Sequence, residues 1–368
     1  MKKKRYMIWL LTAGLLAAGN LYAGGFRALA QEEDPLIEDM GEEFIIHSGE
    51  DLEELKAAEQ AQTEPVTEPV IQEETMVLEP ASAGSLEGFL TELTREESPT
   101  GSDGELNIGA YIRETMEGYG YTVSEQNFHE GFLNENGVDA PGVNIIAERG
   151  ANAQTRYQDI LIISTHYDSK TSPQEGDPLA NDKSGAAVLL ETARILAGLE
   201  TDTDICFLFF SGEEDGLYGS LRFTESLEEE YRSRIVGQIH IEQACYGENA
   251  PWVLLTADGE ENLLGNLLRQ EGLTEEEQAE SEIQEEGSLA ETEASGERNS
   301  WEYRQDDATS IRHLAQAGIR AVTVIQDTEL SELEADAVPR TEKLQEITDI
   351  LAMTAGKIMS PASGSLLG

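Results

Sequence analysis

Basic residues are scarce in this chain of 368 residues: 24 Lys and Arg stand against 73 Asp and Glu, for a formal charge of −49. So acidic a chain repels phosphate backbones, which argues against nucleic acid as a partner. Cysteine is scarcer still, with Cys206 and Cys245 alone. Cys206 opens the apolar run CFLFF, whereas Cys245 follows IVGQIHIE. If these runs are neighbouring parallel strands, the sulfurs lie near opposite ends, too far apart to bridge, and two buried free thiols are expected. Histidine is limited to five positions, so any imidazole chemistry must come from a short roster.

What is present begins with MKKKRYMIWLLTAGLLAAGNLYAGGFRALAQ. Lys2 to Arg5 precede an apolar run, and Ala28-Leu29-Ala30 before Gln31 is a small-x-small cleavage pattern, so residues 1–30 read as an export signal. Tyr6 to Phe26 is uncharged for 21 residues, long enough that an uncleaved membrane anchor is the alternative. Either way the body of the protein is expected outside the cytoplasm, extracellular or in the cell envelope, and it touches a membrane only through this segment.

The acid is unevenly spread. From Gln31 to Ser85 there are 17 Asp or Glu and one Lys, and from Leu273 to Glu297 ten Glu and no basic residue. Such blocks bury too little surface to order themselves. Residues 31–85, with the repeat TEPVTEPV, are expected to form a disordered acidic linker, and 273–297 a surface-loop insertion within a domain spanning 86–360. In that domain VNIIAER, ILIISTHYD, CFLFFSG, IVGQIHIE and AVTVIQD read as buried strands. Between and around them GSLEGFLTEL, IGAYIRETMEGYG, SGAAVLLETARILAGL, ATSIRHLAQAG and TEKLQEITDILAMTAGKIM carry helical spacing. This alternation predicts an α/β fold with a largely parallel sheet covered by helices on both faces.

Ligands bind such sheets at the carboxyl ends of the strands. Three strand ends here carry metal-type side chains: His166-Tyr167-Asp168, Glu213-Glu214 and Glu242, with Asp182 in a turn before a helix. Each alone has a plain structural reading; Asp182, for one, could cap the helix that begins near Ser184. Four segments converging on one sheet edge are another matter, because crowded carboxylates repel and a divalent cation resolves that repulsion.

ISTHYDS, PLANDKSGAAVLLE, FLFFSGEEDGLYGS, the strand ending IHIE and AQAGIRAV together resemble zinc metallopeptidase family twenty-eight, which includes bacterial leucyl aminopeptidases and aminopeptidase Y. The spacing fits, with 16 residues from His166 to Asp182, 32 to Glu214 and 28 to Glu242. The resemblance implies the zinc-dependent exopeptidase fold with a co-catalytic zinc pair, one ion being the alternative. His166 would hold the first zinc and Asp168 would orient its ring, Asp182 would bridge, Glu214 would hold the second zinc, and Glu213 would be the general base. Glu242 stands where the family has Asp. The family's Ser-Asp-His counts onto Ile311, which cannot bind metal. Asp307, one helical turn earlier, is the foremost substitute, ahead of no ligand, His313 and His240. The implied protein is an exported aminopeptidase acting on peptides as a monomer, and the alternative is a catalytically impaired or single-metal domain serving as a binding or surface protein.

Overall fold

A computed structural model describes residues 76–129, 131, 133, 137, 139, 141–153, 158–170, 179–244, 250–273, 301–306, 309–327 and 340–360. All of them belong to one unit, Glu73–Gly368. The segments read as an export signal and anchor, most of the linker, the acidic tract beyond Leu273, Cys245 and Asp307 lie outside the described residues.

The strands are β1 (Thr122–Phe128), β2 (Gly142–Arg149), β3 (Ile160–His166), β4 (Asp204–Phe210), β5 (Ile235–Ile241), β6 (Trp252–Thr256), β7 (Glu302–Gln305) and β8 (Ala321–Gln326). The helices are α1 (Ala83–Leu93), α2 (Asp103–Gly118), α3 (Leu179–Asp182), α4 (Ser184–Leu196), α5 (Tyr218–Ser226), α6 (Glu229–Arg234), α7 (Leu263–Gly272), α8 (Ile311–Gln316) and α9 (Thr341–Met359). The strands form one sheet in the order β1-β2-β4-β3-β5-β8-β6-β7.

The centre β4-β3-β5-β8 is parallel, as the alternation of strand and helix requires. The sheet as a whole is mixed, however, which corrects the expectation of a largely parallel one. β1, β2 and β6 join antiparallel, since no crossover helix separates β1 from β2, and β6 reverses against β8. Because β3 lies between β4 and β5, Cys206 sits two strands away from β5, buried and unbridged.

Alternation along the strands sorts the core into two faces. Leu161, Ile163, Phe207, Phe209, Ile239 and Ile241 meet α1, α2, α4, α7 and α9, while Ile162, Cys206, Leu208 and Phe210 meet Phe223 of α5 and Leu314 of α8. Each fully buried Leu, Ile or Phe contributes roughly 1.5–3 kcal/mol relative to exposure. Helix α4 is buried almost throughout, and Gly185 in its first turn is a packing requirement. A Cβ there would sit 2.3 Å from Thr165 Oγ1 and 2.6 Å from the Ile241 carbonyl.

The described residues also include 76–85. Ala81 is buried, Ser82 caps α1 by accepting from the Ser85 N–H, and the Ala81 N–H donates to Asp349 Oδ1 of α9 at 2.7 Å.

Candidate metal centre

The carboxyl ends of β3, β4 and β5 share one edge of the sheet, and the chain reversals there place the candidate side chains. At the end of β3, His166 and Asp168 are both buried, with Nδ1 and Oδ1 facing each other at 3.4 Å. Neither atom has a hydrogen-bond partner among the described residues. Asp168 Oδ2 accepts the Glu214 N–H at 3.0 Å, which ties the β3 end to the β4 turn. Burial alone would depress the His166 pKa, but Asp168 and the charges of Glu242 and Glu214 lift it to about 10.

Beyond β4, Gly212 takes φ +71°, a left-handed conformation that glycine adopts without strain, and Glu213 opens a turn whose carbonyl accepts the Leu217 N–H. The Glu213 side chain turns inward and is buried. The Ser220 N–H donates to its Oε1 at 2.7 Å, and Ser310 Oγ donates to its Oε2 at 2.5 Å. Glu214 is partly exposed and lies 3.8 Å from Lys170 Nζ. Burial raises both carboxyls to about 7; the Ser310 and Ser220 bonds oppose the rise at Glu213, and His166 opposes it at Glu214.

Asp182 ends α3 and is buried, and its charge is felt at Glu214 and at Lys183. The N-cap of α4 is Lys183, which makes no side-chain capping bond. Its buried ammonium instead donates to Ser98 Oγ and the Tyr167 carbonyl. Desolvation brings its pKa down to about 8. Glu242 follows β5, and its Oε1 lies 3.1 Å from His240 Nε2. Burial would raise Glu242, but His240 and His166 hold it below the usual carboxylate range.

The structure therefore gathers His166, Asp168, Asp182, Glu213, Glu214 and Glu242 at one sheet edge. Among the described residues, no group of three His, Cys, Asp or Glu side chains is closed tightly enough to hold an ion. The donor chemistry nevertheless suits zinc: one imidazole and three carboxylates, mutually within electrostatic reach in a desolvated setting. With His166 Nδ1 turned to Asp168, Nε2 is the nitrogen open to a cation, and a dication offsets the carboxylate repulsion that raises Glu214.

Asp307 lies outside the described residues. Ile311 is fully buried in α8. His313 Nδ1 meets Ser220 Oγ at 3.0 Å, and both nitrogens of His240 are engaged by neighbours. Ser220 and Ser310, which bond Glu213, are not among the predicted site residues. Ser310 directly precedes Ile311, the position onto which the motif count falls, and that adjacency was the one available signal.

A family model described as Peptidase family M28 matches residues 144–338. Aminopeptidase YwaD of Bacillus subtilis (strain 168) is 33% identical over 110 residues, covering 29% of this chain and 23% of that protein. The chain matches only 23%, 28% and 37% of the lengths of the first three curated relatives. Among solved structures, a zinc aminopeptidase from Bacillus subtilis superposes with a TM-score of 0.59 at 17% identity, covering 78% of this chain and 97% of that one. A glutaminyl cyclase from Porphyromonas gingivalis superposes with a TM-score of 0.58 at 14% identity, covering 75% and 98%. The fold is thus common to peptidases and cyclases, and the side chains must carry the choice between activities.

Proposed function

The chain belongs to peptidase family M28, and from that premise we propose that it is a zinc-dependent exopeptidase, an aminopeptidase that removes N-terminal residues from peptides. The observation that carries the reading is the division of labour between adjacent carboxylates. Glu213 is buried, with a donor on each oxygen, whereas Glu214 is partly exposed and within electrostatic reach of His166.

His166, Asp182, Glu214 and Glu242 would hold the zinc, two ions in this reading. Zinc bound there would polarise the scissile carbonyl and make water acidic enough to be deprotonated near neutral pH. Glu213 would accept the proton from the attacking water and return it to the departing amine. Its pKa of about 7 suits both transfers. Ser220 and Ser310 hold the carboxylate for that exchange, and Asp168 orients the His166 ring.

The second reading is a single-metal or non-catalytic binding domain. It is favoured by the buried Ile311 at the position where the family resemblance calls for a histidine. Metal analysis together with hydrolysis of aminoacyl nitroanilides, with and without chelator, separates the two. Near two zinc per chain with chelator-sensitive release supports the aminopeptidase, and one zinc indicates a modified site. Metal-free protein without release on any aminoacyl or dipeptide substrate overturns the reading. Export, from the basic and apolar N-terminal segment, and a monomeric state belong to the same proposal. Among the described residues no helix is long and apolar enough to cross a membrane.

A further inference from the structure

His240 lies on β5 with no exposed surface, stacked on Phe210 at 6.3 Å between ring centroids. A buried imidazole must satisfy two nitrogens, and the direction of each bond follows from the neighbours. Gln238 Nε2 donates to Ser164 Oγ at 2.6 Å. Ser164 has a single hydroxyl proton, and Oγ lies 2.8 Å from His240 Nδ1. With Oγ accepting from Gln238, that proton is directed at Nδ1. Nδ1 is therefore the bare nitrogen, and Nε2 carries the hydrogen of the neutral ring. Nε2 faces Glu242 Oε1 at 3.1 Å, so it donates to the carboxylate.

We propose that His240 is a positioning residue for Glu242: the chain Gln238–Ser164–His240 sets one imidazole tautomer, and the Nε2–H pins one carboxylate oxygen so that the other is presented to a metal ion. The inference rests on the reading of Glu242 as a zinc ligand. It also explains how a Glu serves where the family resemblance calls for Asp. The extra methylene lengthens the side chain and frees another torsion, and the tether from its own strand, two residues back on the same face, removes that freedom. Buried hydrogen bonds of this kind on ligating groups matter 10–100-fold in metal affinity. A hydrogen bond that must be given up or rebuilt on binding would act against the ion, whereas one already formed does not.

Two measurements test it. In the full chain without metal, labelled with ¹⁵N-histidine, long-range proton–nitrogen correlation at neutral pH reads the His240 tautomer, its signals assigned by their loss in His240→Phe. A neutral ring protonated on Nε2 is expected; an imidazolium or a ring protonated on Nδ1 overturns the proposal. Zinc affinity by competition with a chelator is the second readout. His240→Phe should bind about 10–100-fold more weakly, and His240→Gln, whose amide nitrogen can reach the same oxygen, should recover most of that loss. Equal affinity in His240→Phe and the natural protein, or no recovery with Gln, refutes the tether.

Should His240→Phe fail to fold, Ser164→Ala carries the test. Removing the donor to Nδ1 should bring in the Nδ1–H tautomer and weaken zinc severalfold, and an unchanged tautomer refutes the proposal. A natural protein that binds no zinc would defeat the proposed function, while the tautomer measurement would still decide the hydrogen-bond chain.

Discussion

Replacing Glu105 by Gln should stabilise the protein at neutral pH, by an amount that depends on pH in a defined way. Glu105 stands in the first turn of α2 and is 1% exposed. Ser102 caps that helix by accepting the Glu105 N–H, and the Glu105 carboxyl in turn accepts the Gly101 N–H at 2.6 Å and meets Ser211 Oγ. Burial raises its pKa to about 8, the Ser211 bond opposing, from a reference near 4.5. The folded form therefore keeps a proton that the unfolded chain releases. The stability associated with the neutral group is complete below pH 4.5 and is lost as pH rises through about 8.

At pH 7 the loss amounts to roughly 1.4 kcal/mol for each unit above 4.5, or about 3 kcal/mol. Gln has no such linkage. Its amide oxygen can take the Gly101 N–H and its NH₂ can donate to Ser211 Oγ, so both contacts are kept, the second with its direction reversed. Urea unfolding of both proteins in chelator from pH 4.5 to 8 gives the stability difference as a function of pH. The Gln variant should gain on the natural protein by about 3 kcal/mol between pH 4.5 and 7 and level off above 8. A difference that stays flat across the range refutes the reasoning, because it would mean that Glu105 ionises normally in the folded state.

Three further outcomes are expected. Glu213→Gln should lower kcat on aminoacyl nitroanilides by on the order of 10²–10⁴ with zinc content unchanged, and loss of zinc as complete as in Glu214→Gln would reverse the two assignments. Ser310→Ala removes a donor that favours the ionised Glu213, so the acid limb of the kcat/KM profile should move to higher pH; an unmoved limb would show that Ser310 does not set the base. Gly185→Ala drives a methyl group against Thr165 and the Ile241 carbonyl, and overpacking of this sort costs about 1–3 kcal/mol or more. A thermal melt equal to that of the natural protein would refute that packing.

Buried strands were legible because their apolar runs have no other use: ILIIST, CFLFF and IVGQIHI lie where the pattern put them. The edge strands TVSEQNF and EYRQ were not legible. An edge strand faces water, so its residues are polar and its pairing leaves no hydrophobic trace. WVLLT, between Pro251 and Ala257, carries the same apolar signal as the central strands. The mixed sheet was beyond reach for a related reason, since strand direction depends on crossovers rather than on composition. At the site, side-chain chemistry at strand ends identified the residues now found together. What sequence could not supply was pairing across distance. Ser310 reaches Glu213 from 97 positions away. The two-residue spacing of His240 and Glu242 placed them on one face, yet it could not distinguish a second ligand from a tether.

The clasp between residues 76–82 and α9 bears on the order in which the protein can be completed. The Ala81 N–H reaches Asp349 across 268 positions, Gln345 Nε2 donates to the Ala81 carbonyl, and a Cβ on Gly356 of α9 would strike Met76. Helix α9 also covers one face of the sheet through Leu344, Ile347, Leu351 and Ala355. A chain emerging from synthesis therefore leaves part of that face, beside α1, α2, α4 and α7, uncovered until α9 arrives. Closure of so long a loop costs entropy before its contacts repay it. A ribosome stalled before Thr341 would leave the apolar surface that α9 shields still open to water.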